Sequence, residues 1–427
     1  MLDEAALGAE LREHAFGGRR HSERPPTIGA EVELLPVDAA TRRQVPIIAD
    51  DGPCTLPLLR AFAGGAGWRE TASMYGMPNW VLPDGGTITF EPGGQIELSA
   101  PPFASASALL RSLRGTVRPL MDAAREHGIE LLSVGIDPHN AVDGLPLQLP
   151  GKRYVRLTRF MEDRGTGGTR MMRQTASFQC NLDWCGAAPE RWRFLNALAP
   201  YLTAIFANSP VYEGRDTGER SFRARVWREL DGGRTGIFAC ADDPVPEYLH
   251  FALHAPAILI PHEQEGWLPF REWNARGLAT HDDWKTHLTT LFPEVRPKGF
   301  VEVRGADAVA PEWYAAPVAF LGGLVYHEPS FAAAREIVGA PDRALLERAG
   351  RLGLRDERLA AGARDLFALA LQGAAALGPD FLHPADLEEA RAFFDTYTTR
   401  ALSPADDALA GLASAETREA EFAASDR

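Results

Sequence analysis

Acidic and amide side chains recur two residues apart in the amino-acid sequence. Glu31 and Glu33 form one such pair and Gln95 and Glu97 another, with one apolar residue between the members of each pair. In a β-strand, residues i and i+2 point to the same side. Each pair would therefore present carboxylate or amide oxygens on one strand face, where they could bind a cation or a polar substrate.

Two later segments repeat this alternation. Gln179 and Asn181 share one face of a potential strand, and Glu302 and Arg304 share one face of another. These faces could be the solvated outer sides of antiparallel strands, which are commonly polar. They could equally form a single binding surface where four distant segments meet, and the sequence leaves both interpretations open.

Five glutamates on these segments have no lysine among them. They are Glu31, Glu33, Glu91, Glu97 and Glu302. Five carboxylates on one surface repel one another unless cations lie between them. Magnesium takes oxygen ligands and is commonly held by a few carboxylates together with nucleotide phosphates. We therefore predict a magnesium cluster on one face of a sheet.

Alternating patterns bounded by Gly and Pro predict the strands that would position these side chains. These strands cover residues 28–35, 87–99, 131–136, 175–184 and 300–304. Apolar residues spaced three and four apart predict helices over residues 105–127 and 191–208.

The chain shows no internal repeat and no linker between two cores, so residues 1–402 are predicted to form one catalytic domain. Its part from about residue 318 is rich in Ala and Leu and is predicted to be mostly helical. Residues 403–427 contain few large apolar side chains, which predicts a loosely ordered tail.

Arg223, Arg225 and Trp227 form another group of interest. Two arginines beside an aromatic ring could bind a carboxylate or stack on a planar ligand. They could also be an ordinary surface pair of arginines, and this alternative stays open.

Two further patterns are interpreted as structural. The glycine-rich segment 165–170 lacks the preceding strand and following helix of a phosphate-binding loop, so it is predicted to be a flexible loop. His281 and His287 lack the i,i+4 spacing of a helical metal-binding pair. Asp282 or Asp283 is predicted instead to cap a helix.

The formal net charge of the chain is −14. Nucleic-acid binding needs clustered Lys and Arg, so no nucleic-acid partner is expected.

No apolar run reaches the roughly 20 residues that span a bilayer, and the first residues lack the apolar core of a secretory signal. We expect no membrane association and a cytoplasmic location, where the four cysteines would be reduced.

Seven segments resemble those of the glutamate-cysteine ligases of plant and proteobacterial type, which are similar to the actinobacterial ligases of ergothioneine synthesis. The resemblance runs from about residue 28 to about residue 330, and its most specific motif is VEVRGAD. The segments are IGAEVE (28–33), EPGGQIELS (91–99), QCNLD (179–183), AIFANSP (204–210), RTG (234–236), HLTTLFPEVR (287–296) and VEVRGAD (301–307).

The resemblance implies an α+β fold in which a glutamine-synthetase-like antiparallel β-sheet curves into a funnel with helices packed outside. It implies ATP-dependent ligation of the glutamate γ-carboxylate to the amine of cysteine. ATP would phosphorylate the carboxylate, and the amine would attack the acyl phosphate to give γ-glutamylcysteine and ADP for glutathione-type thiol synthesis. The expected partners are the small molecules glutamate, cysteine and ATP, and the enzyme would be a monomer or a homodimer.

The resemblance also implies roles for individual residues. The ligands of two or three Mg²⁺ ions would be Glu31, Glu33, Glu91, Glu97 and Glu302. Catalytic roles would belong to Glu31, Glu97, Glu302 and Arg304. Substrate would be bound by Arg153, Ser177, Gln179, Asn181, Arg223 and Trp227. ATP would be bound near Gln95, Arg234, Thr235 and Arg304.

Two departures from the plant pattern leave the acceptor amine open. Val32 stands where the plant enzymes have a histidine, and residues 138–140 read Pro-His-Asn instead of Pro-Lys-Trp. A ligase of the same chemistry with a different amine acceptor therefore remains an alternative. A non-catalytic relative that binds nucleotide or glutamate is another.

Overall fold

The strand β1 (Ile28–Asp38) pairs with neighbours on both of its sides. It belongs to a computed structural model that describes residues 1–17, 26–73, 76–185, 188–260 and 266–425, with side chains described up to residue 414. In the first half of β1, buried apolar residues alternate with Glu31 and Glu33. This period of two is the strand pattern expected when one face is buried.

The remaining strands are short. They are β2 (Arg69–Thr71), β3 (Asn79–Val81), β4 (Thr87–Phe90), β5 (Ile96–Ser99), β6 (Ile129–Leu132), β7 (Ser177–Leu182), β8 (Val211–Tyr212), β9 (Arg215–Asp216), β10 (Thr235–Gly236), β11 (Phe292–Pro293), β12 (Val295–Pro297) and β13 (Val301–Asp307).

The helices occupy the intervals between strands and most of the chain after β13. They are α1 (Glu4–Glu10), α2 (Thr55–Ala66), α3 (Ala106–Glu126), α4 (Lys152–Glu162), α5 (Thr166–Gln174), α6 (Ala188–Ile205), α7 (Phe222–Leu230), α8 (Pro244–His254), α9 (Phe270–Ala275), α10 (His281–Leu288), α11 (Ala315–Tyr326), α12 (Glu328–Val338), α13 (Arg343–Leu352), α14 (Glu357–Ala376), α15 (Pro384–Thr396) and α16 (Pro404–Ser425). Within the described ranges, no helix has both the length and the apolarity needed to cross a bilayer.

The main sheet is antiparallel. Its order is β12-β13-β7-β1-β5-β4-β3-β2, and β6 pairs with the second half of β1. The central strands β7, β1 and β5 come from distant parts of the sequence, so pairing brings separate motifs side by side. The predicted α+β class, with an antiparallel sheet and helices packed outside, is confirmed.

One face of this sheet is apolar and covered by helices. Val32, Leu98, Phe178 and Val303 are buried in the main hydrophobic cluster. That cluster is continuous and includes side chains from Leu7 to Tyr397. The opposite face carries the acids and amides noted in the sequence. Because the helices cover only the apolar face, these polar side chains are available to bind a ligand.

Helix α11 is buried along nearly its whole length and packs against α14. The two helices approach so closely that a Cβ on Gly323 would lie 2.0 Å from the carbonyl oxygen of Ala370. A Cβ on Gly373 would lie 2.2 Å from the carbonyl oxygen of Gly323. Glycine at both positions therefore permits the contact.

The predicted strand over residues 87–99 is two strands, β4 and β5, joined by a tight turn. Gly94 in this turn has φ of 88°, a left-handed conformation that glycine adopts without strain. A Cβ on Gly93 would lie 2.2 Å from the carbonyl oxygen of Arg173. The turn places Glu91 at the end of the hairpin beside the polar face.

The prediction of a flexible loop over residues 165–170 is wrong, because helix α5 begins at Thr166. Gly167 and Gly168 are buried, and a Cβ on Gly168 would lie 2.5 Å from the Cβ of Met161. The glycines serve close helix packing, and tertiary contact overrides their low helix propensity.

The cap of α10 is Thr280, so the prediction of Asp282 or Asp283 as the capping residue is also wrong. The hydroxyl of Thr280 accepts the backbone N–H of Asp283 at 3.1 Å, and the carboxylate of Asp283 accepts the backbone N–H of Thr280 at 2.9 Å. This reciprocal pair is a capping box. His287 near the other end of α10 is buried against Phe270.

The segment predicted to be a loosely ordered tail begins as a packed helix. Ser403 and Ala405 are buried, and the backbone N–H of Ala405 donates to the carbonyl of Ala207. Asp406 in the first turn of α16 pairs with Arg355 at 3.2 Å. The few apolar side chains of this segment are enough to dock its first turn.

Candidate active site

A cavity of about 200 Å³ opens on the polar face of the main sheet. Side chains from β1, β5, β7 and β13 form one wall, and α4, α5 and α7 contribute the others. Eleven of the fifteen residues that the sequence assigned to a site line it. They are Glu31, Glu33, Glu91, Gln95, Glu97, Arg153, Ser177, Gln179, Arg223, Trp227 and Arg304.

Strand pairing explains why distant polar residues meet. Glu33 lies directly opposite Glu97 of β5, whereas Glu31 lies opposite Ser99 of β5 on one side and Gln179 of β7 on the other. Directly opposed side chains on one face have Cβ atoms about 5 Å apart. The alternation in the sequence thus becomes a continuous surface of acids and amides.

Glu31, Glu33, Glu91 and Glu97 form an acidic cluster in this cavity. Burial and the negative charges of Glu91, Glu31 and Glu33 raise the pKa of Glu97 well above its ordinary value. Burial and the charges of Glu33 and Glu31 also raise the pKa of Glu91. Burial and mutual repulsion therefore disfavour the charged forms of these carboxyl groups, and a bound cation would offset both effects.

Hydrogen bonds orient the acidic cluster. Ser177 donates its backbone N–H at 2.7 Å and its hydroxyl at 3.1 Å to Oε2 of Glu33. The hydroxyls of Thr89 and Ser99 donate to Oε1 of Glu97 at 3.2 Å and 2.9 Å. These donors hold the carboxylates on the strand face independently of a ligand.

Four arginines line the same cavity: Arg153, Arg223, Arg296 and Arg304. The guanidinium carbons of Arg223 and Arg304 lie 5.7 Å and 5.3 Å from the ring centroid of Trp227. Arginine binds carboxylate and phosphate groups through its planar fork of donors. The cavity therefore combines anion-binding groups with the cation-binding acidic cluster.

Glu302, the fifth predicted magnesium ligand, is not part of the acidic cluster. Its carboxylate is fully buried and accepts hydrogen bonds from Arg296 at 2.9 Å, Lys298 at 2.9 Å and Arg304 at 2.7 Å. Burial alone would raise the pKa of Glu302, but the positive charges of Arg296, Arg304 and Lys298 outweigh burial and lower it. Glu302 therefore has three cationic partners. Two of them, Arg296 and Arg304, line the cavity, so Glu302 fixes the positions of their guanidinium groups.

Arg234 and Thr235, predicted to bind ATP, lie outside the cavity lining. Arg234 is fully buried, and its guanidinium donates to Asp231 at 3.0 Å and to the carbonyls of Thr290 at 2.6 Å and Pro256 at 2.7 Å. The hydroxyl of Thr235 donates to the carbonyl of Asp231. The side chains of Arg234 and Thr235 thus donate hydrogen bonds to other protein groups. The structure does not bring either residue to the cavity.

Two predicted amides also bind protein groups. Asn181 lies outside the lining and donates to Oε1 of Glu31 at 3.2 Å. Gln95 lines the cavity, but its amide accepts from the backbone of Gly93 at 3.0 Å and donates to the carbonyl of Thr175 at 2.9 Å. Both amides therefore fix the shape of the site.

The sequence analysis missed one charged lining residue, Arg296. It lies directly opposite Glu302 in the pairing of β12 with β13. Phe292 and Arg296 both line the cavity but lie on different short strands, β11 and β12, so no continuous alternation marked Arg296. The short edge strand carried too little pattern to be recognised from sequence.

The acidic cluster fits the ligand chemistry of magnesium. Magnesium is usually bound by one or two carboxylates together with substrate phosphates and water. As the side chains stand, no three His, Cys, Asp or Glu in the part of the chain that the structure describes are close enough to surround an ion. Phosphate oxygens and water would have to supply the remaining ligands of an ion bound there.

The two departures from the plant pattern lie away from this cavity. Val32 is buried on the apolar face of β1. The backbone N–H groups of His139 and Asn140 donate to Asp137 at 2.8 Å and 3.1 Å. None of these residues is part of the cavity lining, so the departures leave the charged wall intact.

Comparisons with known proteins identify similar enzymes. Residues 27–392 match the family model described as glutamate-cysteine ligase family 2. The glutamate–cysteine ligase EgtA of Mycolicibacterium smegmatis is 36% identical over an alignment of 346 residues that covers 76% of this chain and 78% of that relative. The chloroplastic glutamate–cysteine ligase of Arabidopsis thaliana is 34% identical over an alignment of 263 residues that covers 58% of this chain and 50% of that relative. The solved structure of glutamate–cysteine ligase from Francisella tularensis in complex with AMP has a TM-score of 0.49 at 11% identity, covering 90% of this chain and 84% of that one.

Proposed function

The chain belongs to glutamate-cysteine ligase family 2, and from this premise we propose that it joins the γ-carboxyl of glutamate to the amine of cysteine, with cleavage of ATP to ADP and phosphate. The observation that carries the proposal is the cavity in which the acidic cluster and four arginines lie together. Such a site provides separate partners for a metal–phosphate group and for the carboxylates of an amino acid.

The proposed reaction has two steps. An oxygen of the glutamate γ-carboxylate attacks the terminal phosphorus of ATP, which releases ADP and leaves an acyl phosphate. The amine nitrogen of cysteine then attacks the acyl carbon, loses a proton and displaces inorganic phosphate. The products are γ-glutamylcysteine, ADP and phosphate, and no nucleophilic side chain is required.

The acidic cluster, Glu31, Glu33, Glu91 and Glu97, would hold the magnesium. Magnesium bound there would neutralise charge on the phosphates during phosphoryl transfer. The chain's own contribution is to keep these carboxylates apart and oriented, through Ser177 for Glu33 and through Thr89 and Ser99 for Glu97.

The arginines would bind the anionic groups of the substrates. We assign Arg223, beside Trp227, to a carboxylate of glutamate. We assign Arg304 and Arg296 to the phosphates, because Glu302 fixes both guanidinium groups. Fixed donors stabilise developing charge without reorganising during the reaction.

The extent of the catalytic domain and its partners belong to the same proposal. We propose residues 1–402 as one catalytic domain, supported by the main hydrophobic cluster, which extends from Leu7 to Tyr397. Small amino acids and ATP are the proposed partners. A cytoplasmic location, a role in glutathione-type thiol synthesis and a monomeric or homodimeric state remain predictions.

The test is to incubate the purified protein with glutamate, ATP, MgCl₂ and a panel of amines that includes cysteine. We expect the fastest ADP release with cysteine and a product with the mass of γ-glutamylcysteine. Faster ADP release with another amine would identify that amine, instead of cysteine, as the acceptor. Absence of ADP release with every amine would favour a non-catalytic relative.

A further inference from the structure

Asp307, the last residue of β13, connects three segments behind the cavity. Its side chain is 1% exposed. Oδ2 accepts the backbone N–H of Asn208 at 2.8 Å and the hydroxyl of Ser209 at 2.7 Å, and Oδ1 accepts the hydroxyl of Ser221 at 2.9 Å. Asp307 does not line the cavity itself.

The two serine hydroxyls bonded to Asp307 also hold the start of α7. Ser221 caps this helix, since its hydroxyl accepts the backbone N–H of Ala224 at 3.0 Å. The hydroxyl of Ser209 accepts the backbone N–H of Arg223 at 3.1 Å. The carboxylate thus fixes the first turn of the helix that carries Arg223 and Trp227.

The guanidinium of Arg223 has few anchors of its own. Nη2 donates to the carbonyl of Arg304 at 3.0 Å, and Nη1 lies 3.8 Å from Oδ1 of Asp307. Nε is buried and has no hydrogen-bond partner. Among the described residues, Asp307 is the acidic side chain within ion-pair distance of this guanidinium, and Glu33 and Glu294 attract it from farther away.

Asp307 has almost no room to move. A Cβ added to Gly135 would lie 2.4 Å from its Cγ and 2.6 Å from Oδ2, so the backbone of residue 135 packs directly on the carboxyl group. The backbone N–H of Gly135 in turn donates to the carbonyl of Asn208 at 2.9 Å. A carboxylate confined in this way can transmit a fixed position to its partners.

We infer that Asp307 is a positioning residue that holds Arg223 and the first turn of α7 in the orientation that binds glutamate. This inference rests on the proposed function, because glutamate is the ligand assigned to Arg223. Asp307 does not line the cavity, so it would act through Arg223, Ser209 and Ser221. The effect should therefore fall on glutamate and spare ATP.

Asp356 provides a matched control outside the cavity. It is also a buried carboxylate, 4% exposed, that caps a helix through the backbone N–H of Leu359 at 3.1 Å and pairs with Arg348. Asp307→Asn and Asp356→Asn remove the same charge from similar surroundings. Only the first change lies behind the cavity.

The test measures glutamate binding by calorimetry and the KM values for glutamate and ATP in both variants. For Asp307→Asn we expect the Kd and KM for glutamate to rise about tenfold or more, with the KM for ATP within about twofold of wild type. Ser221→Ala should give a smaller rise and Ser221→Thr, which keeps the hydroxyl, should behave as wild type. Asp356→Asn should lower the melting temperature and leave both KM values unchanged.

The inference is overturned if Asp307→Asn binds glutamate as wild type does, or if it weakens glutamate and ATP equally. Should Asp307→Asn not fold, glutamate binding by Ser221→Ala that equals wild type overturns the inference instead. If wild type binds glutamate but releases no ADP with any amine, the proposed function fails while the Kd comparison still tests Asp307. If wild type does not bind glutamate at all, the proposed function and the inference about Asp307 both fail.

Discussion

Two glutamates on one sheet face, half-buried Glu97 and fully buried Glu302, have opposite electrostatic surroundings. Glu97 stands among other carboxylates of the acidic cluster, whereas Glu302 is enclosed by two arginines and a lysine. Removing one negative charge should therefore change the stability of the fold in opposite directions at the two positions. Both changes should reduce activity, for different reasons.

Replacing Glu97 with Gln removes a carboxyl group whose ionisation is opposed by burial and by its acidic neighbours. We expect the melting temperature without ligands to equal or exceed that of wild type, because a neutral amide cannot add charge to the acidic cluster. ADP release should fall at least about 100-fold, since a group that orients phosphoryl transfer is lost. Thermal melting and an ADP-release assay measure the two effects. A variant that melts clearly below wild type would contradict the electrostatic account.

Replacing Glu302 with Gln leaves three cations without their shared carboxylate. Breaking a buried ion pair by removing one partner costs about 3–5 kcal/mol, so we expect a corresponding loss in the free energy of unfolding, measured by urea titration. Activity should fall as Arg296 and Arg304 lose their fixed positions. If Glu302→Gln leaves stability unchanged while magnesium affinity is lost, Glu302 is a metal ligand as the family resemblance implies.

At the residue scale, the sequence identified most of the cavity but could not distinguish these environments. Glu97 and Glu302 both stand in alternating motifs, and spacing alone assigns them the same role. The two glutamates differ because Arg296 and Lys298 donate hydrogen bonds to Glu302. These residues reach Glu302 through the pairing of β12 with β13, which local sequence does not reveal. Arg234 shows the same limit, because its burial among carbonyl groups is set by contacts far along the chain.

At the scale of elements, close contact between α11 and α14 depends on glycine. Gly323→Ala would place a Cβ 2.0 Å from the carbonyl oxygen of Ala370. We expect a loss of about 1–3 kcal/mol in the free energy of unfolding, because an overpacked core must shift its backbone.

Gly115→Ala is the matched control for this change. Gly115 lies inside α3, and a Cβ there meets nothing within 4 Å. This substitution should stabilise the fold by about 0.5–1 kcal/mol through helix propensity. Equal effects of the two substitutions would show that α11 and α14 do not approach as closely as described.

His287 in α10 should make stability depend on pH. Burial lowers the pKa of His287 to about 3, while an unfolded chain would have the ordinary value near 6.5. The unfolded state therefore binds more protons below pH 6.5, so this contribution is fully present above pH 6.5 and is lost as pH falls toward 3. At pH 5 the loss is about 2 kcal/mol.

The pH effect is measured by comparing unfolding free energies at pH 7.5 and pH 5. His287→Gln should lose less stability between these pH values than wild type. His127→Gln provides a control, because His127 is an exposed residue at the end of α3. If His287→Gln shows the full wild-type loss, the buried neutral histidine is not its source.

The element predictions succeeded where hydrophobic periodicity was strong. They failed where a glycine could indicate either a loop or a closely packed helix. The amphipathic α3 and the strands β1 and β7 follow patterns visible in the sequence. The glycines of α5 predicted a loop, yet they allow a helix to pack on Met161. Whether a glycine bends the chain or admits a neighbour depends on contacts that local sequence does not contain.

At the scale of the whole molecule, the cavity depends on sheet order. The acidic cluster forms because β1 pairs with β5, and the amide of Gln179 joins it because β7 pairs with the other edge of β1. The sequence indicated that these faces belong together only through their shared composition and the family resemblance. Strand order, and the second layer of buried groups such as Asp307, became visible only in the folded chain.

The central claim is that the cavity activates the γ-carboxyl of glutamate as an acyl phosphate. Its most direct test uses glutamate labelled with ¹⁸O in the γ-carboxylate, together with cysteine, ATP and MgCl₂, followed by mass analysis of the phosphate released. We predict that each phosphate carries one labelled oxygen, because the bridging oxygen leaves with phosphorus when the amine attacks. Phosphate formed without the label while γ-glutamylcysteine accumulates would contradict the account.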